Sequence, residues 1–591
     1  MKYEHLGQMI TDKVKTYNTQ TALRFKDNNQ WKSLSYAQFW DQIQSLAAAM
    51  VSSGVQKGDN IGIYSANRYE WAITDFACIL VGAVSVPIYA TNTREQARFI
   101  IQDAGIKLIF VGDLFQYDNV YSIVSDKLPL TIVSYDPNIK IDPAIAHYFS
   151  DFLKTPSLPD VQRILDQRQK EIKKDDTTTI IYTSGTTGNP KGVMLTHGNL
   201  FHQMDSVDAN FTITRNDSSL CFLPLSHVYE RMWSYCVYFK GASHTYLSDP
   251  KKVIETLQEL KPTAMVSVPR LYEKIYSAVM NKQENASFVK KMLFKNAIKT
   301  GDTYYNRLKH KDPISLSLKL KHKLFDRLVL SKIRDVVGGD KNFFSAGGAP
   351  LEQSIEEFFF ACGLLVCQGY GLTETSPMIS YNTPANFKFG TVGKPVPNCE
   401  VRIAPDGEVQ VKGPQVMKGY YNNPEKTAED IVDGWFKTGD IGEFDPDGYL
   451  KITDRIKDLI ITSGGKNIAP QKIESYIGKD FYIEQIVSIG EKRRFISALV
   501  VPAFEALETW AKENGIAFHS REELIKHPDV IAFYRNRIDS HSKDLAQYET
   551  IKKFTLIPHP FSVEGGEITP TMKLKRKAIN EKYKGLVDAM Y

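Results

Sequence analysis

Six cysteines among 591 residues include no C-x-x-C pair, and no histidine cluster accompanies them. That argues against a disulfide framework or a zinc site and for a reducing compartment. Long apolar runs are also missing. The longest, Phe76 to Ala90, is interrupted by Gly82, Ser85 and Pro87, so it is too short for a bilayer and reads as a buried helix end followed by a strand. Charge of one sign is scarce: 73 basic against 68 acidic residues leave +5, and no nucleic-acid partner is expected. The opening residues Met1-Lys2-Tyr3-Glu4-His5 do not read as a signal peptide, so a cytoplasmic location is the expectation.

What is present is enough chain for two or more domains. Asn60 to Tyr64 reads as a strand, Tyr69 to Val81 as a helix, Val84 to Ile88 as a strand, and Ile106 to Val111 as another strand. This alternation predicts an α/β layered fold with parallel strands. From about 390 to 452, short alternating runs such as Glu408-Val409-Gln410-Val411 sit between Gly and Pro turns and predict a β-rich subdomain. The polar stretch Thr453 to Asp458 is the candidate hinge. The expected division is therefore 1–454, a large α/β domain with the β-rich subdomain, and 455–591, a smaller mobile α+β domain.

One loop carries the most chemistry. After the apolar residues Ile180 and Ile181 comes Tyr182-Thr183-Ser184-Gly185-Thr186-Thr187-Gly188-Asn189-Pro190-Lys191-Gly192. It exposes backbone N–H groups, adds hydroxyl donors and places one cation beside them, a combination suited to polyphosphate. It is not a Walker A loop, which ends in Gly-Lys-Ser/Thr. Further along stand Ser345-Ala346-Gly347-Gly348-Ala349-Pro350, then Gln368-Gly369-Tyr370-Gly371-Leu372-Thr373-Glu374-Thr375 after the apolar run Leu364-Leu365-Val366, which reads as a strand. Trp435-Phe436-Lys437-Thr438-Gly439-Asp440, Asp454-Arg455-Ile456-Lys457, Ser463-Gly464-Gly465-Lys466 and Thr569-Pro570-Thr571-Met572-Lys573 follow in order.

Taken in this order, from about Asn60 to Lys577, the motifs resemble those of the adenylate-forming superfamily, which includes acyl-CoA synthetases, firefly luciferase and peptide synthetase adenylation domains. The resemblance implies an acyl-CoA synthetase-like fold, ATP and CoA as co-substrates and Mg²⁺ as cofactor. It implies that Thr183, Ser184, Gly185, Thr186, Thr187, Gly188 and Lys191 cradle phosphates. Gly347, Gly348, Ala349, Gln368, Gly369, Tyr370 and Gly371 would line the adenine side, with Thr373 at the α-phosphate. Glu374 would hold Mg²⁺ with Thr187. Asp440 and Arg455 would meet the ribose, Lys457 would be the hinge, and Gly464, Gly465 and Lys466 would line the path of the CoA arm. Lys573 corresponds to the C-terminal catalytic lysine. This chain has Thr571-Met572 where many relatives have Ser-Gly, which keeps Lys575 as an alternative. Lys573, Glu374, Thr373 and Lys191 are the implied catalytic set.

Leu223-Pro224-Leu225-Ser226-His227-Val228-Tyr229-Glu230-Arg231 and Val268-Pro269-Arg270-Leu271-Tyr272 resemble the long-chain fatty acid branch. They imply an acyl pocket or gate near His227 and Arg231. A fatty acid–CoA ligase is expected, with an acyl carrier protein as the alternative acceptor. Residues 287–334 interleave apolar residues with many Lys and Arg. Two readings stay open: a contact with the inner membrane face, or a hairpin packed on the domain with solvated charges, the commoner meaning of such runs. A homo-oligomer is compatible with the sequence, which shows no interface.

Overall fold

The computed structural model describes residues 2–124, 128–183, 190–456, 458–463, 466–543, 545–569 and 573–591, with Asn467 described for its backbone only. Two large sheets dominate residues up to about 390. In the first, five parallel strands run in the spatial order Val84–Ile88, Asn60–Tyr64, Leu108–Val111, Thr131–Ser134 and Ala146–Tyr148. Beyond Val84–Ile88, the antiparallel hairpin Thr177–Thr183 and Lys191–Thr196 closes that side, followed by Gly419–Tyr420 at the edge. The second sheet has nine strands. Its parallel centre includes Cys367–Gly371, Phe343–Ala346, Ala264–Ser267 and Ser218–Cys221.

Helix Tyr69–Val81 is buried on every face, as expected for a helix enclosed by other layers. Rings of Phe39, Phe76, Tyr235 and Tyr238 interlock there, each contributing on the order of 2–3 kcal/mol through burial. One polar knot crosses this core. The Arg231 guanidinium pairs with Asp75 and donates to Tyr235 Oη (2.9 Å), Thr179 Oγ1 (2.6 Å) and Ser85 Oγ. It thereby ties two helices to two adjacent strands. Removing one partner of such a pair leaves an uncompensated buried charge, at a cost of about 3–5 kcal/mol.

A five-stranded sheet follows, built from Glu400–Ile403, Glu408–Lys412, Trp435–Phe444, Ile431–Val432 and Leu450–Arg455. The last strand runs through Arg455, so the start of the expected hinge is sheet rather than linker. From Ile460 onward a separate apolar core forms around the sheet Ile483–Ile489, Ile496–Pro502 and Ile551–Leu556. The layered α/β architecture and the smaller α+β C-terminal part are as expected. One local expectation fails. Leu364 to Val366 are not a strand; the strand is Cys367–Gly371, the motif itself. Gly363, at φ +86°, turns the chain out of the preceding helix, and Leu364 and Val366 are buried as loop residues before pairing begins at Cys367.

Candidate active site

The three sheets meet at one cleft, where the strand Cys367–Gly371 delivers its motif. A side chain on Gly371 would put its Cβ 1.7 Å from the Pro377 carbonyl oxygen, so only glycine permits this approach. The chain then turns through Thr373–Thr375. This sets Tyr370 toward the five-stranded sheet and Glu374 toward the edge strand Gly419–Tyr420.

Asp440 and Arg455 are direct cross-strand partners. Arg455 forms an ion pair with Asp440, its Nε 2.9 Å from Oδ1, and Tyr370 Oη donates to Asp440 Oδ2 at 2.7 Å. Each carboxylate oxygen keeps a lone pair, so two hydroxyl donors can still be accepted. Thr438 and Glu408 fix the approach to Asp440: Asp440 N donates to Thr438 Oγ1 (3.1 Å) and Gly439 N to Glu408 Oε1 (2.9 Å).

On the other side, Tyr420 Oη lies 3.1 Å from Glu374 Oε1 and 3.2 Å from Asp430 Oδ2. A phenol has one proton, so one of these contacts at a time is a donated bond. Burial raises the Glu374 carboxyl above its ordinary range, while Arg455 and Lys191 pull it back. The Lys191 ammonium sits 4.9 Å from the Tyr420 ring centre. This is a half-buried carboxyl crowded by protein atoms, and nearby positive charge stabilises its ionised form. A hard oxygen donor of this kind fits Mg²⁺ alongside phosphate oxygens.

The C-terminal part closes the cleft. Thr569 and Lys573 are paired, with Thr569 N donating to Lys573 O (2.8 Å) and Lys573 N to Thr569 Oγ1 (3.0 Å). More than a third of the Lys573 surface is exposed, yet protein atoms crowd its ammonium. Burial, and then Arg455, lower its pKa to about 8, while Asp440 and Glu374 oppose the shift. Lys573 in turn bears on His227, whose imidazole is lowered to about 4, chiefly by burial. Lys575 stands two residues further on, at the N-cap of the helix whose first residue, Arg576, pairs with Glu474 at 2.6 Å.

His227 caps helix Val228–Lys240, its Nδ1 accepting from Tyr229 N at 3.2 Å. Gly347 lies beside Tyr229, whose hydroxyl shares a 2.6 Å hydrogen bond with Ser345 Oγ, and Gly348, at φ +84°, has only Val268 near its open side. Gln368 is spent on structure, its amide bonding both N and O of Leu351 (3.0 and 3.1 Å), so it shapes the Gly347–Pro350 turn. Arg231 does not join the cleft; it is held in the core knot. Ser184, Gly185, Thr186, Thr187, Gly188, Lys457, Gly464 and Gly465 lie outside the described residues. The bases of their loops are described: Thr183 pairs with Lys191, and Ile461 pairs with Asn467. Lys466 points over Tyr548.

Sequence reasoning did not find Tyr420, Asp430 or the supporting Gln203, whose amide holds Met378 N (3.1 Å) and O (3.0 Å). It also missed that Cys221, Glu230 and His244 meet in the core. There Glu230 Oε2 accepts from Leu223 N at 3.1 Å and so secures the segment leading to His227.

Fold and cleft together define an adenylate-forming enzyme. Residues 10–421 match the AMP-binding enzyme family and residues 457–591 its C-terminal domain; the chain belongs to this family. A long-chain-fatty-acid–CoA ligase of Mycobacterium bovis is 38% identical over 569 residues, spanning 95% of this chain and 92% of the relative. The peroxisomal long chain acyl-CoA synthetase 6 of Arabidopsis thaliana is 34% identical over 596 residues, spanning 95% and 82%. Among solved structures, the adenylation domain of a Mycobacterium chelonae carboxylate reductase superposes with a TM-score of 0.78 at 20% identity, over 100% of this chain and 92% of that one. An anthranilate CoA ligase in complex with anthranoyl-AMP gives 0.72 at 18%, over 99% and 98%. At these identities the superpositions establish the fold.

Proposed function

We propose that this enzyme activates long-chain fatty acids with ATP, forming an acyl-adenylate and pyrophosphate, and then transfers the acyl group to the thiol of CoA with release of AMP. The observation that carries this reading is the Asp440 carboxylate held between Tyr370 Oη at 2.7 Å and Arg455 Nε at 2.9 Å, with the Lys573 ammonium near enough to feel the charges of Arg455, Asp440 and Glu374. The long-chain-fatty-acid–CoA ligase relatives support the substrate class.

In this reading Asp440 accepts the ribose hydroxyls on its free lone pairs, held in place by Tyr370 and Arg455. Thr373 and the 184–188 loop with Lys191 orient the phosphates, with Gly347, Gly348 and Ala349 beside the base. Lys573 brings positive charge to the α-phosphate as the carboxylate oxygen attacks the phosphorus and the bond to pyrophosphate breaks. Glu374, with Thr187, would hold Mg²⁺, which neutralises phosphate charge when bound. His227, neutral at pH 7, borders the entry of the acyl chain. For the second half-reaction, the part from 455 onward turns about Lys457, so that Gly464, Gly465 and Lys466 line the path of the thiol. The thiolate adds to the carbonyl and AMP leaves.

The test is pyrophosphate release from ATP with palmitate, with and without CoA. Thioester formation with CoA is expected. Pyrophosphate without a CoA thioester, but with transfer to an acyl carrier protein, would move the acceptor. ADP as product would sink the adenylation reading.

A further inference from the structure

Segment 287–334 carries thirteen Lys and Arg against three Asp and no Glu, a net +10. The whole chain is +5, so the rest of the molecule is net −5 and the basic character is gathered here. The segment folds as helix Phe288–Lys309, helix Leu316–Phe325 and a continuation through Asp326–Leu330 into Ser331–Val336. Its inner face is well anchored. Gly301 packs so closely that an added Cβ would lie 2.0 Å from the Ala361 carbonyl oxygen. Arg334 pairs with Asp326 (2.7 Å) and donates to Cys362 O (2.8 Å). Tyr304 stacks on His322 at 3.9 Å.

The outer face is anomalous. Leu316, Leu320, Leu324 and Leu328 recur every fourth residue and are 73%, 61%, 55% and 40% exposed. They form one stripe along the helical surface. Single exposed leucines need no explanation, but four in a row on a helix do. Lys319 and Lys323 border the stripe. A folded body that places leucines outward between lysines has the chemistry of an interfacial helix: apolar side chains enter the acyl boundary while lysine stems lie along it and their ammoniums reach the headgroups. Among the described residues no helix is long and apolar enough to cross a membrane.

We infer that this helical hairpin docks the enzyme on an anionic lipid bilayer, with the Leu316–Leu328 stripe in the interface. Charge complementarity selects this occupant. A second copy of the chain would bring another +10 face against the first, which like charges oppose. The hairpin is rooted on helix Gln353–Ala361, just after the Gly347–Pro350 turn, so docking brings lipid to the side of the molecule that carries the cleft's adenine wall. The inference deepens the proposed fatty acid specificity and rests on that reading for its purpose. Its test needs no substrate.

Sedimentation of the full chain with vesicles of phosphatidylcholine alone, or mixed with phosphatidylglycerol, reads the docking. Binding to the mixed vesicles is expected to exceed binding to the neutral ones by roughly tenfold or more and to weaken with salt. Leu320→Glu with Leu324→Glu is expected to lower it by roughly tenfold or more, and Lys319→Glu with Lys323→Glu to abolish the preference for phosphatidylglycerol. All four positions are exposed, so the melting temperature should be unchanged, and pyrophosphate release with a water-soluble short-chain acid reports the chemistry separately. Absence of binding by the wild-type chain, or equal binding by the double leucine variant, would overturn the inference. So would leucine variants that dissociate an oligomer without altering vesicle binding, or capture by an acidic carrier protein in place of vesicles.

Discussion

Lys573 is poised so that its charge state follows pH within the working range. With its pKa lowered to about 8, the ammonium is charged below that value and is lost as pH rises through it. The free-enzyme parameter kcat/KM for ATP in the adenylation half-reaction is therefore expected to fall along a limb near pH 8. Lys573→Arg should remove the limb, because arginine stays charged. Lys573→Ala should lower the rate by roughly 10²–10³-fold, as for other transition-state charge donors. Tyr370→Phe loses the hydrogen bond to Asp440 and is expected to weaken AMP binding by about 0.5–1.5 kcal/mol, read by calorimetry. These residues were legible in the sequence because each sits in a short run with glycine or a hydroxyl beside it. Tyr420 was not, because its partner Glu374 lies 46 residues away and Gly419-Tyr420 bears no local sign of that contact. Arg231 reads as a gate only while its neighbours are unknown. Asp75, Thr179 and Ser85 reach it from separate elements.

At the scale of elements, helix Gln353–Ala361 connects the cleft to the basic hairpin. Its Glu356 is buried, with Oε2 accepting from Gly390 N at 2.7 Å. Burial raises its pKa to about 8. A raised carboxyl contributes stability below its unfolded pKa near 4.5 and loses it as pH rises toward 8. Glu356→Gln should thus gain on the wild type across that window, by up to about 1.4 kcal/mol per pH unit, seen as a difference in denaturant midpoints that widens with pH. Gly301→Ala should cost about 1–3 kcal/mol by overpacking against Ala361, measured in the same way. Periodicity located Tyr69–Val81 and Val84–Ile88 well, because one is long and apolar and the other β-branched between turns. It misplaced the strand before Gln368, where burial rather than pairing keeps Leu364 and Val366 apolar. It also took Thr453 to Arg455 for a hinge, because a polar edge strand looks like a linker.

Across the whole molecule, the two parts touch through charge and backbone. Arg270 and Lys274 on helix Pro269–Glu284 pair with Glu484 at 3.4 and 3.0 Å, and Ser277 Oγ donates to Lys479 O at 2.7 Å. These contacts favour the arrangement in which Lys573 meets the cleft. Exposed pairs contribute about 0.2–1 kcal/mol each. Glu484→Lys should slow single-turnover adenylation by a few fold while leaving thioester formation from preformed acyl-adenylate equal or faster, in quenched-flow measurements. The motif order made the two-part plan legible. The contacts between the parts were not, since Glu484 and Arg270 stand in unremarkable surface helix and strand positions.

The pairing of Asp440 with Arg455 has a mechanical consequence. Arg455 is the last residue of its strand, two positions before the match to the family's C-terminal domain begins. In the proposed reading, where the C-terminal part turns about Lys457, the carboxylate proposed to receive the ribose also holds the residue two positions before that pivot. Loading the ribose is therefore expected to be felt at that joint before any acyl group arrives. Limited trypsin digestion at 455–457 should register this as a cleavage rate that changes when AMP alone is added.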